Sequence, residues 1–148
     1  MRTRSLLLAL LAAVAVLATV AVATGAAAAG RATVDVRKTK LGTVLVDGQG
    51  RTLYLFMKDR NDKSACSGAC ATFWPPLLTH GKPRAGNGAE RKLLGTTVRK
   101  DGTQVTYDGH PLYTYEGEKK PGQTNGEGST NFGAAWYVLA PNGHRIAP

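Results

Sequence analysis

The chain has 148 residues, and its 19 Lys and Arg outnumber its 10 Asp and Glu, which gives a formal net charge of +9 at pH 7. This length is enough for one domain with a modest core. The basic residues are dispersed and no nucleic-acid-binding motif accompanies them, so nucleic acid is not an expected partner, whereas anionic cell-wall polymers and lipid headgroups are.

Residues 1–29 have the pattern of a secretory signal peptide. Arg2 and Arg4 precede an apolar run from Leu6 to Val22, and small residues follow up to Ala29. A retained membrane anchor is the alternative, since roughly 18 apolar residues just span a bilayer. No basic flank follows at once, so we predict cleavage near Ala29 and a secreted, extracytoplasmic domain. No cysteine lies at this junction to carry a lipid anchor.

After this segment the sequence has the pattern of short strands, with 17 basic and 10 acidic residues and a net charge of +7. Short apolar runs alternate with Asp-Gly and other Gly-containing turns at residues 43–46, 51–57, 96–107, 112–115 and 136–139. Alternation of this kind between tight turns is typical of β-hairpins. No window shows the sustained 3.6-residue apolar period of a helix. We therefore predict an all-β antiparallel domain over residues 30–148, after a helical signal peptide at 1–29.

The two cysteines of the chain, Cys66 and Cys70, lie four positions apart. Outside the cytosol such a pair forms a disulfide, and on one helical turn their Cα atoms would lie about 6 Å apart, within the range that a disulfide tolerates. A metal site would need two further ligands, of which His80 is the nearest candidate. A reactive redox pair is the third possibility. We favour a structural disulfide.

An internal repeat is visible within this pattern. Residues 53–59 (LYLFMKD) align with residues 112–118 (LYTYEGE), so that a tyrosine, a second aromatic residue and an acid recur at the same spacing. These motif residues are Tyr54, Phe56 and Asp59 in the first copy and Tyr113, Tyr115 and Glu118 in the second. Each copy is followed by a predicted strand carrying a tryptophan, Trp74 or Trp136.

We therefore predict two tandem repeats, at about residues 41–80 and about residues 93–148. Neither copy buries its aromatic face alone, because a single hairpin is too small to enclose one. We expect the two copies to pack together or to pair edge to edge.

At these residues the chain resembles a family of secreted repeat proteins and predicted lipoproteins that share a Tyr-x-(Phe/Trp/Tyr)-x-x-Asp motif and have no known biochemical function. The resemblance extends to the stretch CSGACATFWPPL and to the loop KPGQTNGEGS that leads into AWYVL. The first copy matches the motif in full. The second has Glu118 in place of the aspartate.

The motif favours a structural role. On a strand, Tyr54 and Phe56 project to the same side, while Asp59 falls in the following turn. There its carboxylate can accept hydrogen bonds from backbone N–H groups or from a tyrosine hydroxyl. The alternative is a cleft between the repeats, lined by the tyrosines and the two acids, that holds a ligand. Trp74 and Trp136 are predicted to be core anchors.

These features predict a non-catalytic binding or structural module of the cell envelope or extracellular space, with no cofactor and no metal site. No G-x-S-x-G, H-E-x-x-H or S-x-x-K motif is present, which argues against an enzyme. An uncharacterised enzyme and a haem- or copper-binding accessory protein, with Met57, His80 and His110 as ligands, are the alternatives. The Gly-rich loop at residues 118–133 is expected to be exposed and to contact partners.

Overall fold

The structure, a computed structural model, describes residues 30–146. The predicted signal peptide at residues 1–29 lies outside the described residues. The strands of the described part are β1 (Thr33–Thr39), β2 (Gly42–Asp47), β3 (Tyr54–Phe56), β4 (Arg84–Ala85), β5 (Leu94–Arg99), β6 (Gly102–Tyr107), β7 (His110–Pro111) and β8 (Trp136–Val138). The helical segments are a short α-helix, α1 (Ala69–Phe73), and two 3-10 turns, Arg91–Leu93 and Asn131–Gly133. Between residues 30 and 146 no helix is long and apolar enough to cross a membrane.

The strands pair almost entirely in the antiparallel sense. They form the sets β2-β1-β4, β3-β8 and β5-β6-β7, and within these sets only the two-residue contact of β1 with β4 is parallel. The all-β antiparallel prediction is therefore confirmed. Short strands between tight turns explain why the apolar runs of the sequence are brief and lack a helical period.

Each half of the domain begins with the same hairpin. β1 and β2 join through a two-residue turn with Thr39 opposite Gly42, and β5 and β6 join likewise with Arg99 opposite Gly102. Both glycines have positive φ angles, 108° and 140°, which a residue with a side chain rarely adopts. β1 was not among the predicted strands, although its alternation of valines with charged residues is a typical strand signal.

The two halves meet at their motif strands. The N–H of Tyr54 donates to the carbonyl oxygen of Tyr113 (2.8 Å), and the N–H of Tyr113 donates back to the carbonyl oxygen of Tyr54 (3.0 Å). On its other side Tyr54 pairs with Val138, whereas Tyr113 pairs with Pro76. The segment after each tryptophan thus pairs with the motif strand of the other repeat, which is the edge-to-edge pairing expected from the sequence.

The core is divided by this central layer of strands into two clusters. The aromatic cluster comprises Val44, Val46, Tyr54, Phe56, Cys66, Cys70, Trp74, Tyr113, Trp136 and Val138. The aliphatic cluster comprises Val34, Leu45, Leu53, Leu55, Leu77, Val105, Tyr107, Leu112 and Leu139. Neighbouring residues of one strand enter opposite clusters, as the two-residue period of a strand requires. Both repeats contribute to both clusters, so neither repeat has a core of its own.

The prediction that both tryptophans lie on strands is correct for Trp136 and wrong for Trp74. Trp136 begins β8, whereas Trp74 follows α1 and its N–H donates to the carbonyl oxygen of Cys70 (2.8 Å). Pro75 comes next and has no N–H for a further helical hydrogen bond, so the helix ends there and the chain becomes extended.

Candidate functional site

The polar groups of the two motifs bind one another across the repeat boundary. The hydroxyl of Tyr113 donates to Oδ2 of Asp59 (2.9 Å), and the hydroxyl of Tyr54 donates to Oε1 of Glu118. Each motif tyrosine therefore donates to the motif acid of the other repeat. It does not donate to the acid that lies five residues after it in its own repeat. Glu118 takes the same role as Asp59, so the longer acid preserves the interaction.

The aromatic residues of the motifs enclose the two tryptophans in a column of stacked rings. Trp74 and Trp136 stack at 4.0 Å between centroids; Phe56 stacks on Trp136 at 4.0 Å, and Tyr115 stacks on Trp74 at 4.5 Å. The second aromatic residue of each motif thus stacks on the tryptophan of the other repeat.

The edges of this column are closed by the motif tyrosines. The ring of Tyr54 meets Trp74 edge-on at 5.3 Å, and the ring of Tyr113 meets Trp136 edge-on at 5.1 Å. Stacked and edge-on pairs are both favourable for aromatic quadrupoles. Apart from the single Trp74–Trp136 stack, each kind of contact in the column occurs twice, once for each tryptophan. The indoles therefore fill the space where a cleft between the repeats would lie.

In the first repeat, the turn after β3 positions Asp59. Its Oδ1 accepts from the N–H of Ala65 (2.7 Å), and the Ser64 hydroxyl lies 2.7 Å from the Tyr113 hydroxyl. Arg99, from the hairpin of the second repeat, donates to Ser64 and to the carbonyl oxygen of Cys66 (2.9 Å). Ser64 and Arg99 were not predicted to belong to the site, because nothing in their spacing relates them to the motif.

The disulfide lies in the same segment. Cys66 and Cys70 are bonded, their Cα atoms are 5.3 Å apart, and their exposed fractions are 1% and 6%. Both belong to the aromatic cluster. The disulfide thus closes the loop that directly follows Ser64 and Ala65, the two partners of the Asp59–Tyr113 contact.

In the second repeat, most of the Gly-rich loop is exposed, as expected, but its buried residue Gly126 also covers part of the column. The N–H of Gly126 donates to the Tyr54 hydroxyl (3.2 Å), and a Cβ at Gly126 would lie only 2.7 Å from the Trp74 ring. The N–H of Val138 donates to Oε2 of Glu127 (2.6 Å). A glycine is needed at position 126 because the backbone touches the indole directly.

Burial shifts the pKa values of the motif acids and tyrosines upward. Burial raises the pKa of the Asp59 carboxyl to about 6, and burial also raises the pKa of Glu118. Burial, together with the neighbouring carboxylates, raises the pKa values of Tyr54 and Tyr113 well above that of free tyrosine. The tyrosines are thus held as hydrogen-bond donors at neutral pH, not as nucleophiles or bases.

A comparison with models of protein families shows which family the chain belongs to. The sequence model of a family described as a secreted repeat of unknown function matches residues 35–78 and again residues 95–140. The chain belongs to this family. The two matches confirm the two tandem repeats and the resemblance drawn from the motif. Searches of curated proteins and of solved structures found no match to this chain.

The six motif residues do not line either of two cavities found at the surface of the described residues. Of these cavities, of about 720 and 470 Å³, the larger lies away from the site, and the smaller is lined in part by Ser64, Cys66 and Arg99. Among residues 30–146, no three His, Cys, Asp or Glu side chains come together as metal ligands. His80 and His144 are exposed and His110 is half-buried. The haem or copper hypothesis stays a prediction that absorption spectroscopy of the purified protein can test.

The reciprocal pairing predicts a measurable coupling between Asp59 and Tyr113. Asp59→Ala should lower the free energy of unfolding by about 1 to 3 kcal/mol, because the Tyr113 hydroxyl and the Ala65 N–H lose their acceptor. Tyr113→Phe in the Asp59→Ala background should then cost much less than in the wild type. Urea denaturation of the four proteins measures this interaction energy, which we expect to be about 1 kcal/mol.

Tyr115→Phe is the matched control for this cycle. It keeps the ring stacked on Trp74 and removes a hydroxyl that makes no hydrogen bond within the described residues. Its stability should stay within about 0.5 kcal/mol of the wild type. Additive effects of Asp59→Ala and Tyr113→Phe would contradict the pairing.

The raised pKa of Asp59 predicts how stability depends on pH. A carboxyl that holds its proton more tightly when folded favours the folded state while it is protonated. Its contribution is therefore complete below the ordinary carboxyl pKa of 3.8 and is lost as the pH rises through about 6. Asp59→Asn, which cannot titrate, should remove this contribution.

The test is urea denaturation of the wild type and of Asp59→Asn at pH 4, 5, 6 and 7. Acid also increases the positive charge of both proteins, so the informative quantity is the difference between them. The wild type should lose on the order of 1 kcal/mol more than the variant between pH 4 and pH 7, with allowance for solvent screening at this half-buried site. Parallel pH profiles would refute the assignment.

Proposed function

We propose that this domain is a non-catalytic scaffold of the cell envelope or extracellular space that binds anionic envelope material. One observation carries the proposal: the acids and tyrosines of the family motif are each other's hydrogen-bond partners across the repeat boundary. Side chains committed in this way hold the two repeats together and are not available to a substrate. The motif then specifies a stable shape, and recognition falls to the surface.

The surface charge supports anionic material as the target. Residues 30–148 carry 17 basic and 10 acidic residues. Positive potential of this kind attracts polyanions and weakens as salt is added. The disulfide and the two-repeat core give a compact scaffold suited to conditions outside the cell, where chaperones and reductants are scarce. No cofactor is needed for such a role.

The experiment separates the motif from binding. Tyr113→Phe should lower the melting temperature by several degrees, since losing about 1 kcal/mol shifts a domain of this size by roughly 4 °C. Well below that temperature, the variant should co-sediment with isolated cell envelopes as the wild type does. It should be released by the same salt concentration. Loss of binding by a folded Tyr113→Phe protein would contradict the proposal and would favour a ligand site at the motif.

A further inference from the structure

The larger of the two cavities is a groove with basic walls. Its volume is about 720 Å³, and it lies between β4 and the beginning of β5. Four of its lining side chains are basic: Arg31, Lys82, Arg84 and Arg91. No acidic residue lines it. The four cations come from positions up to 60 residues apart in the sequence. For this reason the basic residues look dispersed along the chain, although these four come together in the fold.

The cations of the groove form no ion pair with the rest of the described chain. The ion pairs found within residues 30–146 are Arg51 with Asp47, Lys92 with Glu90, and Arg99 with Asp101. None involves a groove cation. Lys92 is paired at 3.1 Å, whereas its neighbour Arg91, which lines the groove, has no carboxylate partner in the described part.

Backbone and side-chain hydrogen bonds hold the walls in place. Nε of Arg31 donates to the carbonyl oxygen of Lys82 (2.8 Å), which joins the first described strand region to the loop before β4. The N–H of Arg84 donates to the carbonyl oxygen of Ala32 (2.8 Å). On the opposite wall, the carbonyl oxygen of Arg91 accepts from the N–H of Leu94. The cations therefore stand on fixed backbone.

The groove also contains an open strand edge. In the first repeat the outer edge of β1 is covered, since Gly86 donates its N–H to the carbonyl oxygen of Val34 (2.7 Å). The same edge of β5 has no such strand among the described residues. Thr96 lies opposite Val105 in β6. The N–H and carbonyl oxygen of Val105 point away from β5, toward Leu77 and Leu112. Thr96 and Val105 therefore do not hydrogen-bond to each other, and the N–H of Thr96 faces outward into the groove. This N–H adds a neutral donor to the four cations.

We propose that this groove is the binding site of the scaffold for a linear phosphodiester polymer of the cell envelope, an inference that rests on the proposed function. Guanidinium groups bind phosphate oxygens with two parallel hydrogen bonds, and three of the four cations are arginines. Polymer and lipid headgroup share the phosphodiester chemistry. A recessed groove between two strands admits a flexible chain, whereas a bilayer presents a plane of headgroups that meets only its rim.

The test uses the full secreted protein and three probes: poly(glycerol phosphate), vesicles of phosphatidylglycerol, and poly-glutamate. Arg84→Gln/Arg91→Gln removes one cation from each wall. Lys38→Gln/Lys40→Gln is the control; it removes the same charge from exposed residues that do not line the groove. Circular dichroism and melting temperature establish that both variants fold, and calorimetric titration measures the dissociation constants.

The groove variant should bind poly(glycerol phosphate) at least about 10-fold more weakly than the wild type, since each charged hydrogen bond is worth about that factor. The control should lose about twofold or less. Arg84→Lys/Arg91→Lys, which keeps the charge but not the paired hydrogen bonds, should fall between the two. Poly-glutamate and vesicles should bind more weakly than the polymer.

Equal losses in the groove variant and the control would overturn the groove while leaving the proposed function standing. A wild-type protein that binds neither polymer nor vesicles would overturn both. Tighter binding of vesicles than of poly(glycerol phosphate) would contradict a polymer as the ligand. Binding of poly-glutamate as tight as that of poly(glycerol phosphate) would contradict selectivity for phosphate.

Discussion

The paired hydrogen bonds between the backbones of Tyr54 and Tyr113 are the contact on which the rest of the domain depends. They align the two motif strands so that each tyrosine hydroxyl reaches the acid of the other repeat. The same alignment brings the two indoles together in the centre. If the motif strands shifted by one residue, every motif side chain would move to the opposite face of the sheet. Pairing, hydroxyl contacts and stacking are therefore one cooperative unit.

The two repeats share this centre but cover it differently. The first closes over it with the disulfide and α1, and the second with a Gly-rich loop that touches Trp74 at Gly126. The indole nitrogens reflect the difference. Nε1 of Trp136 donates to the carbonyl oxygen of Asn131 (2.9 Å), whereas buried Nε1 of Trp74 has no partner within the described residues. The motif is thus constant where the repeats meet, and the segments that follow it are free to diverge.

Much of this architecture could be predicted from the sequence, because strand periodicity and turn residues are local signals. The alternation around Tyr54 and the Asp-Gly turns indicated hairpins, and the repeated spacing indicated two halves that need each other. The hydrogen-bond partner of each acid could not be predicted from such local signals. Asp59 and Glu118 accept hydrogen bonds from tyrosines more than 50 residues away. Only the relative placement of the repeats decides whether an acid binds the tyrosine of its own repeat or that of the other repeat. The basic groove was missed for the same reason, since its cations converge only after folding.

Native-state hydrogen exchange tests the central claim most directly. The amide protons of Tyr54 and Tyr113 donate to each other's carbonyl oxygens, so neither can exchange without breaking the boundary between the repeats. We predict that both exchange only through global unfolding, with the same opening free energy and the same dependence on denaturant. If one of these amides exchanged at low denaturant while the other remained protected, the repeats would be independent units and the account of mutual stabilisation would be wrong.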